Sequence, residues 1–153
     1  MKHIEIGKKA PEFILEDIHE NQVKLSDYKG KKVLLSWHPL AWTGVCTDQM
    51  RALEANHERF EKLNTVALGL SVDPVPGKLA WASVLRIKNT PLLSDFWPHG
   101  KAAKDYGIFL EDMGISERAN VIIDEEGIVR WMKIYPIAQL PDIEEVFKKL
   151  EEI

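Results

Sequence analysis

The sequence of 153 residues contains a single cysteine, Cys46, so one chain cannot form an internal disulfide bond. Positive charge is not in excess either, because 24 Asp and Glu residues outnumber 20 Lys and Arg residues and give a formal net charge of −4. This balance disfavours nucleic acid or an anionic membrane surface as the main partner.

Long apolar runs are also missing. No segment approaches the roughly 20 apolar residues that a membrane-spanning helix requires, and the start of the chain, MKHIEIGKKAPEF, has no apolar core of a secretory signal. The five histidines show no spacing that is typical of metal ligands. We therefore expect a cytoplasmic protein that has no membrane or nucleic-acid partner and binds no metal.

The chain also lacks repeats, low-complexity runs and linkers, and its length predicts one domain over residues 1–153. Residues 31–38 and 65–73 have the short apolar runs of buried strands. Between them, apolar positions at helical spacing predict one helix that starts near Thr43 and ends at Asn64. The later predicted elements are a helix at 77–87 opened by Pro74 and Pro76, a strand at 90–95, a short helix from 101 that Gly107 stops, a hairpin around 124–127 and an amphipathic helix at 141–153.

This alternation of strands and helices, followed by a hairpin and a last helix, favours an α/β fold. We predict a central mixed β-sheet with helices on both faces, in a thioredoxin-like arrangement.

The cysteine lies in the stretch HPLAWTGVCTDQM, residues 38–50. If Thr43 caps the predicted helix, Cys46 falls in the first turn, where free amides and the positive end of the helix dipole favour a thiolate. Such surroundings can lower a cysteine pKa from ~8.5 to about 3.5–7.5. The Thr43 hydroxyl, three residues earlier, is able to donate to the sulfur or to a bound oxygen, and Pro39 stiffens the loop that enters the helix.

Thiolate formation by itself does not make a fast catalyst. A lower pKa raises the thiolate fraction, but with a Brønsted slope of ~0.4–0.5 it weakens each thiolate by a similar factor. The site must also stabilise the transition state with donors aimed at the atoms that gain charge. Thr43, the helix amides and an arginine would suit the breaking of an O–O bond, which points to a peroxidase.

The spacing Pro39-x-x-x-Thr43-x-x-Cys46 resembles the active-site motif of peroxiredoxins of the AhpC/TSA superfamily. The resemblance extends over residues 3–135 and is greatest to the one-cysteine, AhpE-type bacterial branch. It is carried by the stretches APEFILEDIHENQVKLSDYKGKKVLL, LSVDPVPGKLAWA, PLLSDFWPHGKAAKDYGIF and GISERANVIIDEEGIVR. It implies a thioredoxin fold, reduction of hydrogen peroxide, alkyl hydroperoxides or peroxynitrite, and no metal, haem or flavin cofactor.

The resemblance also implies residue roles. Cys46 would be the peroxidatic cysteine, and the arginine in SERANVIID, Arg118, would hold the thiolate and the peroxide. Thr43 would bond to sulfur and peroxide, and Pro39 would shield the cysteine from bulk water.

Three further residues are candidates for substrate binding, each with a plainer alternative. His38 stands where the family usually has Phe or Tyr, and it either tunes the thiolate or packs as an aromatic substitute. Gln49 stands where the family often has Glu; it cannot act as a base, and it belongs either to the pocket or to the solvated helix surface. The family pattern places Trp81 near the pocket, although a packing role is its simpler interpretation.

Because the chain has no second cysteine, a sulfenic acid on Cys46 cannot be resolved within the chain. We expect an outside small thiol or a thioredoxin-like protein as reductant, in preference to a Cys46–Cys46 pair between two subunits. The loop DFWPHG, residues 95–100, carries aromatic side chains; it is either a packed loop or, as the family resemblance implies, part of a homodimer interface. A peroxide sensor that uses the same oxidation stays open as a second function. Acyl transfer by a thiol nucleophile is disfavoured, because the sequence has no plausible Cys–His–Asn or Cys–His–Asp order with a glycine-rich oxyanion loop.

Overall fold

Strands and helices alternate through residues 2–153, the part of the chain that the computed structural model describes. The strands are β1 (Ile14–Asp17), β2 (Gln22–Lys24), β3 (Lys32–Trp37), β4 (Thr65–Ser71), β5 (Leu92–Ser94), β6 (Phe109–Leu110), β7 (Ile115–Ser116), β8 (Arg118–Ile123) and β9 (Val129–Tyr135). The helices are α1 (Gly44–Ala55), α2 (His57–Lys62), α3 (Val75–Leu85), α4 (Lys101–Asp105) and α5 (Ile143–Glu151), with a 3-10 turn at Leu25–Tyr28. Within residues 2–153, no helix has both the length and the apolar composition needed to cross a membrane.

Seven of the strands form one mixed sheet in the order β2-β1-β5-β4-β3-β8-β9, while β6 and β7 form a separate pair. The central strands β3, β4 and β5 are parallel, and the strands on either side of them pair antiparallel. Both faces of the central strands are covered, which is why β3 and β4 are continuous apolar runs rather than alternating ones. The predicted α/β class with a central mixed sheet is confirmed.

Helices cover both faces of this sheet, but unequally. One face packs against apolar side chains from α1, α2, α3 and α5. The other face packs against α4 and against residues of the N-terminal segment and the first hairpin. Most of the helical mass therefore lies on the face that carries α1.

The single helix predicted from Thr43 to Asn64 is wrong, because the structure divides it into α1 and α2. The break falls at Asn56, whose backbone has left the helical region (φ −105, ψ 15). The Asn56 side-chain amide donates to the carbonyl of Ala52 at 2.8 Å, and asparagine side chains of this kind compete with the regular helical bonds. The apolar spacing continues across the break, so periodicity alone does not reveal it.

The other predicted elements are present, with small changes of boundary. Helix α3 starts at Val75, two residues before the predicted start, because Pro76 fits inside the first turn. The β8–β9 hairpin turns at 124–127, where the Asp124 carboxylate accepts from the amides of Glu126 and Ile128. The amphipathic helix α5 begins after Asp142, whose carboxylate caps the amide of Glu144.

The topology brings three segments to one edge of the sheet. Parallel β3 and β4 both end there, so the loops that lead into α1 and α3 are neighbours. Antiparallel β8 starts at the same edge, with Ala119 paired to Trp37. The next residue outward on each strand is Arg118 on β8 and His38 after β3, which places both beside the start of α1.

Candidate active site

Cys46 is the third residue of α1 and has 0% of its surface exposed. The buried end of β3 and the loop that follows it carry the chain to this position. In a first helical turn the backbone amides have no partner inside the helix and point toward the helix start. The sulfur is therefore enclosed by protein and lies at the positive end of α1.

The structure places Arg118 directly against this sulfur. The Arg118 Nη1 atom donates to Cys46 Sγ at 3.3 Å, and only 2% of Arg118 is exposed. A hydrogen bond from a charged donor to an ionised acceptor is stronger than one between neutral groups. The two residues are 72 positions apart in sequence, and the antiparallel pairing of β8 with β3 is what brings them together.

Two neutral groups hold the guanidinium in place. The same Nη1 atom donates to Gln49 Oε1 at 2.7 Å, while Nε and Nη2 donate to the carbonyl of Ile137 at 3.0 and 2.6 Å. Among residues 2–153, Arg118 forms no ion pair with a carboxylate. Its positive charge is therefore not neutralised by a carboxylate partner and is available to the sulfur.

Gln49 is buried in the site rather than solvated. Its Nε2 atom donates to Ser36 Oγ at 2.8 Å and to the carbonyl of Trp37 at 3.1 Å, which turns its own carbonyl oxygen toward Arg118. Sequence reasoning missed the partner on the other side, Ile137. Its contribution is a backbone carbonyl, so no side-chain signal marks it.

Thr43 occupies the N-cap position of α1, but its side chain caps no helix amide. Its hydroxyl donates to the carbonyl of Leu40 at 2.9 Å, so the expected bond from Thr43 to sulfur is not formed in this structure. The intervening Trp42 has a left-handed backbone (φ 72), which turns the loop so that the Leu40 carbonyl meets the hydroxyl. The Thr43 oxygen keeps its lone pairs for an incoming donor. Pro39 is buried in the same loop.

His38 is fully buried and packs as an aromatic ring, while its effect on the thiolate stays a prediction. The ring packs against Trp81 with centroids 5.3 Å apart, and Nε2 lies 3.3 Å from Lys78 Nζ. Burial, followed by the charge of Lys78, holds the pKa of His38 well below its usual value, so the ring is neutral at pH 7. Within residues 2–153 it makes no hydrogen bond to Cys46. Trp81 is buried too, and its Nε1 donates to Thr47 Oγ1 at 3.2 Å.

Lys78 was not identified by sequence reasoning, although the sequence contains a signal for it. It shares the buried face of α3 with Trp81 and Ala82, at positions i, i+3 and i+4. A lysine on the apolar stripe of a helix is unusual and calls for a buried partner. In the described part of the chain, no group of three or more His, Cys, Asp or Glu side chains is placed to hold a metal ion.

Comparison with known proteins agrees with this geometry. Residues 6–132 match the AhpC/TSA family. The chain is 38% identical over 140 residues to alkyl hydroperoxide reductase E of Mycobacterium tuberculosis, covering 91% of each protein. It is 37% identical over 158 residues to the chloroplastic 2-Cys peroxiredoxin BAS1 of Hordeum vulgare, covering 97% of this chain and 74% of that one.

A solved structure gives the same result for the fold. Reduced 2-Cys peroxiredoxin of Plasmodium vivax superposes with a TM-score of 0.87 at 32% sequence identity, over 95% of this chain and 80% of that one. The thioredoxin-like arrangement predicted from the order of elements is thereby confirmed. The family match covers most of the chain and includes both Cys46 and Arg118. The chain therefore belongs to the AhpC/TSA family.

Proposed function

We propose that this protein is a one-cysteine thiol peroxidase that reduces hydrogen peroxide and alkyl hydroperoxides through Cys46. The observation that carries the proposal is the 3.3 Å contact between Arg118 Nη1 and the buried Cys46 sulfur at the start of α1. The contact joins a nucleophile to a cation that has no carboxylate partner. Both peroxide binding and thiolate formation need this combination.

In the first step the Cys46 thiolate attacks the terminal oxygen of the hydroperoxide. An S–O bond forms, the O–O bond breaks, and the leaving alkoxide takes up a proton to become an alcohol, or water when the substrate is hydrogen peroxide. Sulfur is oxidised to a sulfenic acid as the peroxide is reduced. Arg118 and the first amides of α1 stabilise the charge that develops on the peroxide oxygens.

The loop residues complete this step. The Thr43 oxygen accepts a hydrogen bond from the O–H group of the bound hydroperoxide, because its own hydroxyl proton is donated to the Leu40 carbonyl. Pro39, which has no amide proton and is buried, keeps water from the sulfur. His38, Gln49 and Trp81 shape the wall behind the sulfur. His38 lies against Trp81, and Gln49 positions Arg118.

In the second step an external thiol attacks the sulfenic sulfur, forms a mixed disulfide with Cys46 and releases water. A further thiol attacks the outer sulfur of this disulfide, the two external thiols leave joined as a disulfide, and Cys46 returns to its thiolate. An outside reductant is required because the chain has no other cysteine. The sulfur has no exposed surface, so a direct disulfide between two Cys46 residues is sterically disfavoured. A thioredoxin-like protein would reach Cys46 only if the first turn of α1 moved outward.

The test is peroxide consumption with a thiol reductant present. We expect sustained turnover by the wild-type protein, none by Cys46→Ser, and one dimedone adduct per chain after a single equivalent of peroxide. Oxidation of Cys46 no faster than that of free cysteine would overturn the proposal. A protein that oxidises rapidly but stops after one event would be a sensor, and activity toward thioesters would indicate acyl transfer instead.

We also propose a homodimer and a cytoplasmic location. Supporting the dimer, the loop at 95–100 exposes 46% of Phe96 and 81% of Trp97, and exposed aromatic patches commonly meet partners. Sedimentation should give twice the chain mass for the wild-type protein and the single-chain mass for Trp97→Glu; a wild-type monomer would refute the dimer. Cell fractionation tests the location.

A further inference from the structure

Lys78 is a second buried cation near the reactive sulfur. It has 0% of its surface exposed, yet among residues 2–153 it forms no ion pair with a carboxylate. Its Nζ donates to Ser71 Oγ at 2.7 Å and lies 3.3 Å from His38 Nε2. A buried ammonium without a direct counter-ion is costly to maintain. A functional role would explain why this position is not simply apolar.

The contacts of Lys78 lead to two points on the loop between β3 and α1. On one side Nζ reaches the ring of His38, where the loop begins. On the other side Ser71 Oγ donates to Asp73 Oδ2 at 2.6 Å, and the same oxygen accepts from the backbone amide of Ala41 at 2.8 Å. Lys78 thus braces the segment between His38 and Ala41, which contains Pro39.

The charges around Lys78 come from each of the elements packed against it. Burial lowers the pKa of Lys78 to about 7, opposed by Asp73 after β4, the Cys46 sulfur on α1 and Asp95 after β5. His38, 3.3 Å from Lys78 Nζ, is neutral at pH 7, and Arg118 is a permanent cation whose charge also acts on His38. Attraction between Lys78 and the sulfur is mutual, so a charge on Lys78 must favour the thiolate as much as the thiolate favours it.

We propose that Lys78 is a positioning residue of this active site, which braces the His38–Ala41 loop and supplies positive charge that favours the thiolate form of Cys46. Its part in catalysis rests on the proposed peroxidase function. Its effect on the ionisation of the sulfur does not. Arg118 contacts the sulfur and carries a constant charge, whereas Lys78 contacts the loop before α1 and has a charge that changes near neutral pH.

The first experiment measures the rate of Cys46 alkylation by iodoacetamide as a function of pH. Lys78→Met keeps the volume of the side chain and removes its charge. We expect the pH midpoint of alkylation to move upward by about half a unit or more. Lys88→Met, which removes an exposed lysine, is the matched control and should follow the wild-type curve. A Lys78→Met curve that overlays the wild-type one overturns the proposal.

A second experiment leaves Lys78 in place and therefore does not depend on the folding of a Lys78 variant. The side-chain nitrogen of Lys78 is titrated by ¹⁵N NMR in the wild-type protein and in Cys46→Ser. Because the coupling is reciprocal, loss of the thiolate should lower the titration midpoint of Lys78. An identical midpoint in the two proteins overturns the proposal.

Neither measurement uses peroxide. The effect of Lys78 on Cys46 and the proposed peroxidase function can therefore be disproved independently of each other. A wild-type protein that is inert to peroxide would overturn the proposed function, while a shifted alkylation midpoint would still support the action of Lys78 on the sulfur. If the function holds, the rate of Cys46 oxidation by hydrogen peroxide at pH 7 should fall severalfold in Lys78→Met and stay unchanged in Lys88→Met.

Discussion

The two ends of α1 differ in the groups that surround an anionic side chain. Near the last turn, Glu54 receives hydrogen bonds from the backbone amides of Lys88, Asn89 and Thr90 and from the side chains of Asn89 and Thr90. Near the first turn, Cys46 receives one side-chain hydrogen bond within residues 2–153, from Arg118, and it interacts electrostatically with the buried Lys78. At one end, neutral donors stabilise the negative charge of Glu54. At the other end, Cys46 is next to the positive charge of Arg118, which no carboxylate neutralises.

The Glu54 end of α1 contributes to stability, and the Cys46 end is arranged for reactivity. Despite partial desolvation, the donors at 88–90 hold the pKa of Glu54 below its usual value, so this carboxylate stays ionised and anchors a loop. At the other end, buried polar atoms remain without partners; within residues 2–153, His38 Nδ1 makes no hydrogen bond. A fully paired thiolate would be a poor nucleophile. The end of α1 whose polar groups have fewer hydrogen-bond partners is therefore the one that suits a reactive thiolate.

The largest expected effect comes from removing the cation that touches the sulfur. Arg118→Met should slow the oxidation of Cys46 by about 10²–10³-fold, the usual cost of losing one donor to a developing oxyanion. Stopped-flow tryptophan fluorescence with hydrogen peroxide measures the rate. Arg130→Met, at an exposed arginine paired with Asp124, is the control and should react like the wild type. An Arg118→Met rate within twofold of the wild-type rate would contradict the comparison.

Lys78 should appear in the pH dependence of stability. Its pKa is about 7 in the folded protein, against an ordinary value of 10.5, so between these values the unfolded chain binds more protons. The free energy of unfolding should therefore rise with pH in this range, by up to about 1.4 kcal/mol per pH unit. Urea unfolding between pH 7 and 9.5 measures the slope. A slope in Lys78→Met equal to that of the wild type would show that Lys78 is not the source.

A smaller effect on the rate of Cys46 oxidation is expected from a change at Gln49, the neutral residue that positions Arg118. Gln49→Met removes the 2.7 Å bond from Arg118 Nη1 and leaves Ile137 as its remaining protein anchor beside the sulfur contact. The rate of Cys46 oxidation should fall about tenfold, because small misplacements of a catalytic group are costly. Gln22→Met, on the exposed edge strand β2, serves as the control. If both variants react equally fast, Gln49 does not position Arg118.

The smallest effect is expected for a change at Glu54, near the last turn of α1, and it should alter stability but not the oxidation rate. Glu54→Gln keeps one carbonyl acceptor but loses the charge that receives the donors of 88–90. We expect a loss of about 1 kcal/mol and a fall in melting temperature of about 2–4 °C, with an unchanged oxidation rate. Differential scanning calorimetry and the peroxide assay measure the two quantities. If Glu54→Gln oxidised more slowly than the wild type but were equally stable, the Glu54 end would affect reactivity and not stability, contrary to the comparison.

Much of the fold was predictable from local pattern. The apolar runs predicted β3 and β4, the acidic turn predicted the β8–β9 hairpin, and the apolar face at the end of the chain predicted α5. The break at Asn56 was not predictable from periodicity, because it depends on one side-chain bond to Ala52 that leaves the apolar spacing intact. The single-domain organisation stays a prediction, and the roles of individual site residues are predictions that the experiments above test.

Within the site, the predictable part is the part that is contiguous in sequence. Pro39, Thr43 and Cys46 lie on one short stretch, and helix geometry alone places the cysteine in a first turn. Arg118 could be selected only through resemblance to a family. The direction of the Thr43 hydroxyl was not foreseen, because it follows from the left-handed backbone of Trp42.

By itself the sequence determined where a helix starts beside a lone cysteine, since capping position, proline stiffness and apolar period are local properties. The cations that act on that cysteine were set by the tertiary fold. Strand pairing brought Arg118 to within 3.3 Å of the sulfur, and the packing of α3 enclosed Lys78 nearby. The reason is physical: electrostatic interaction depends on distance and burial, and neither is a property of a residue's neighbours in sequence.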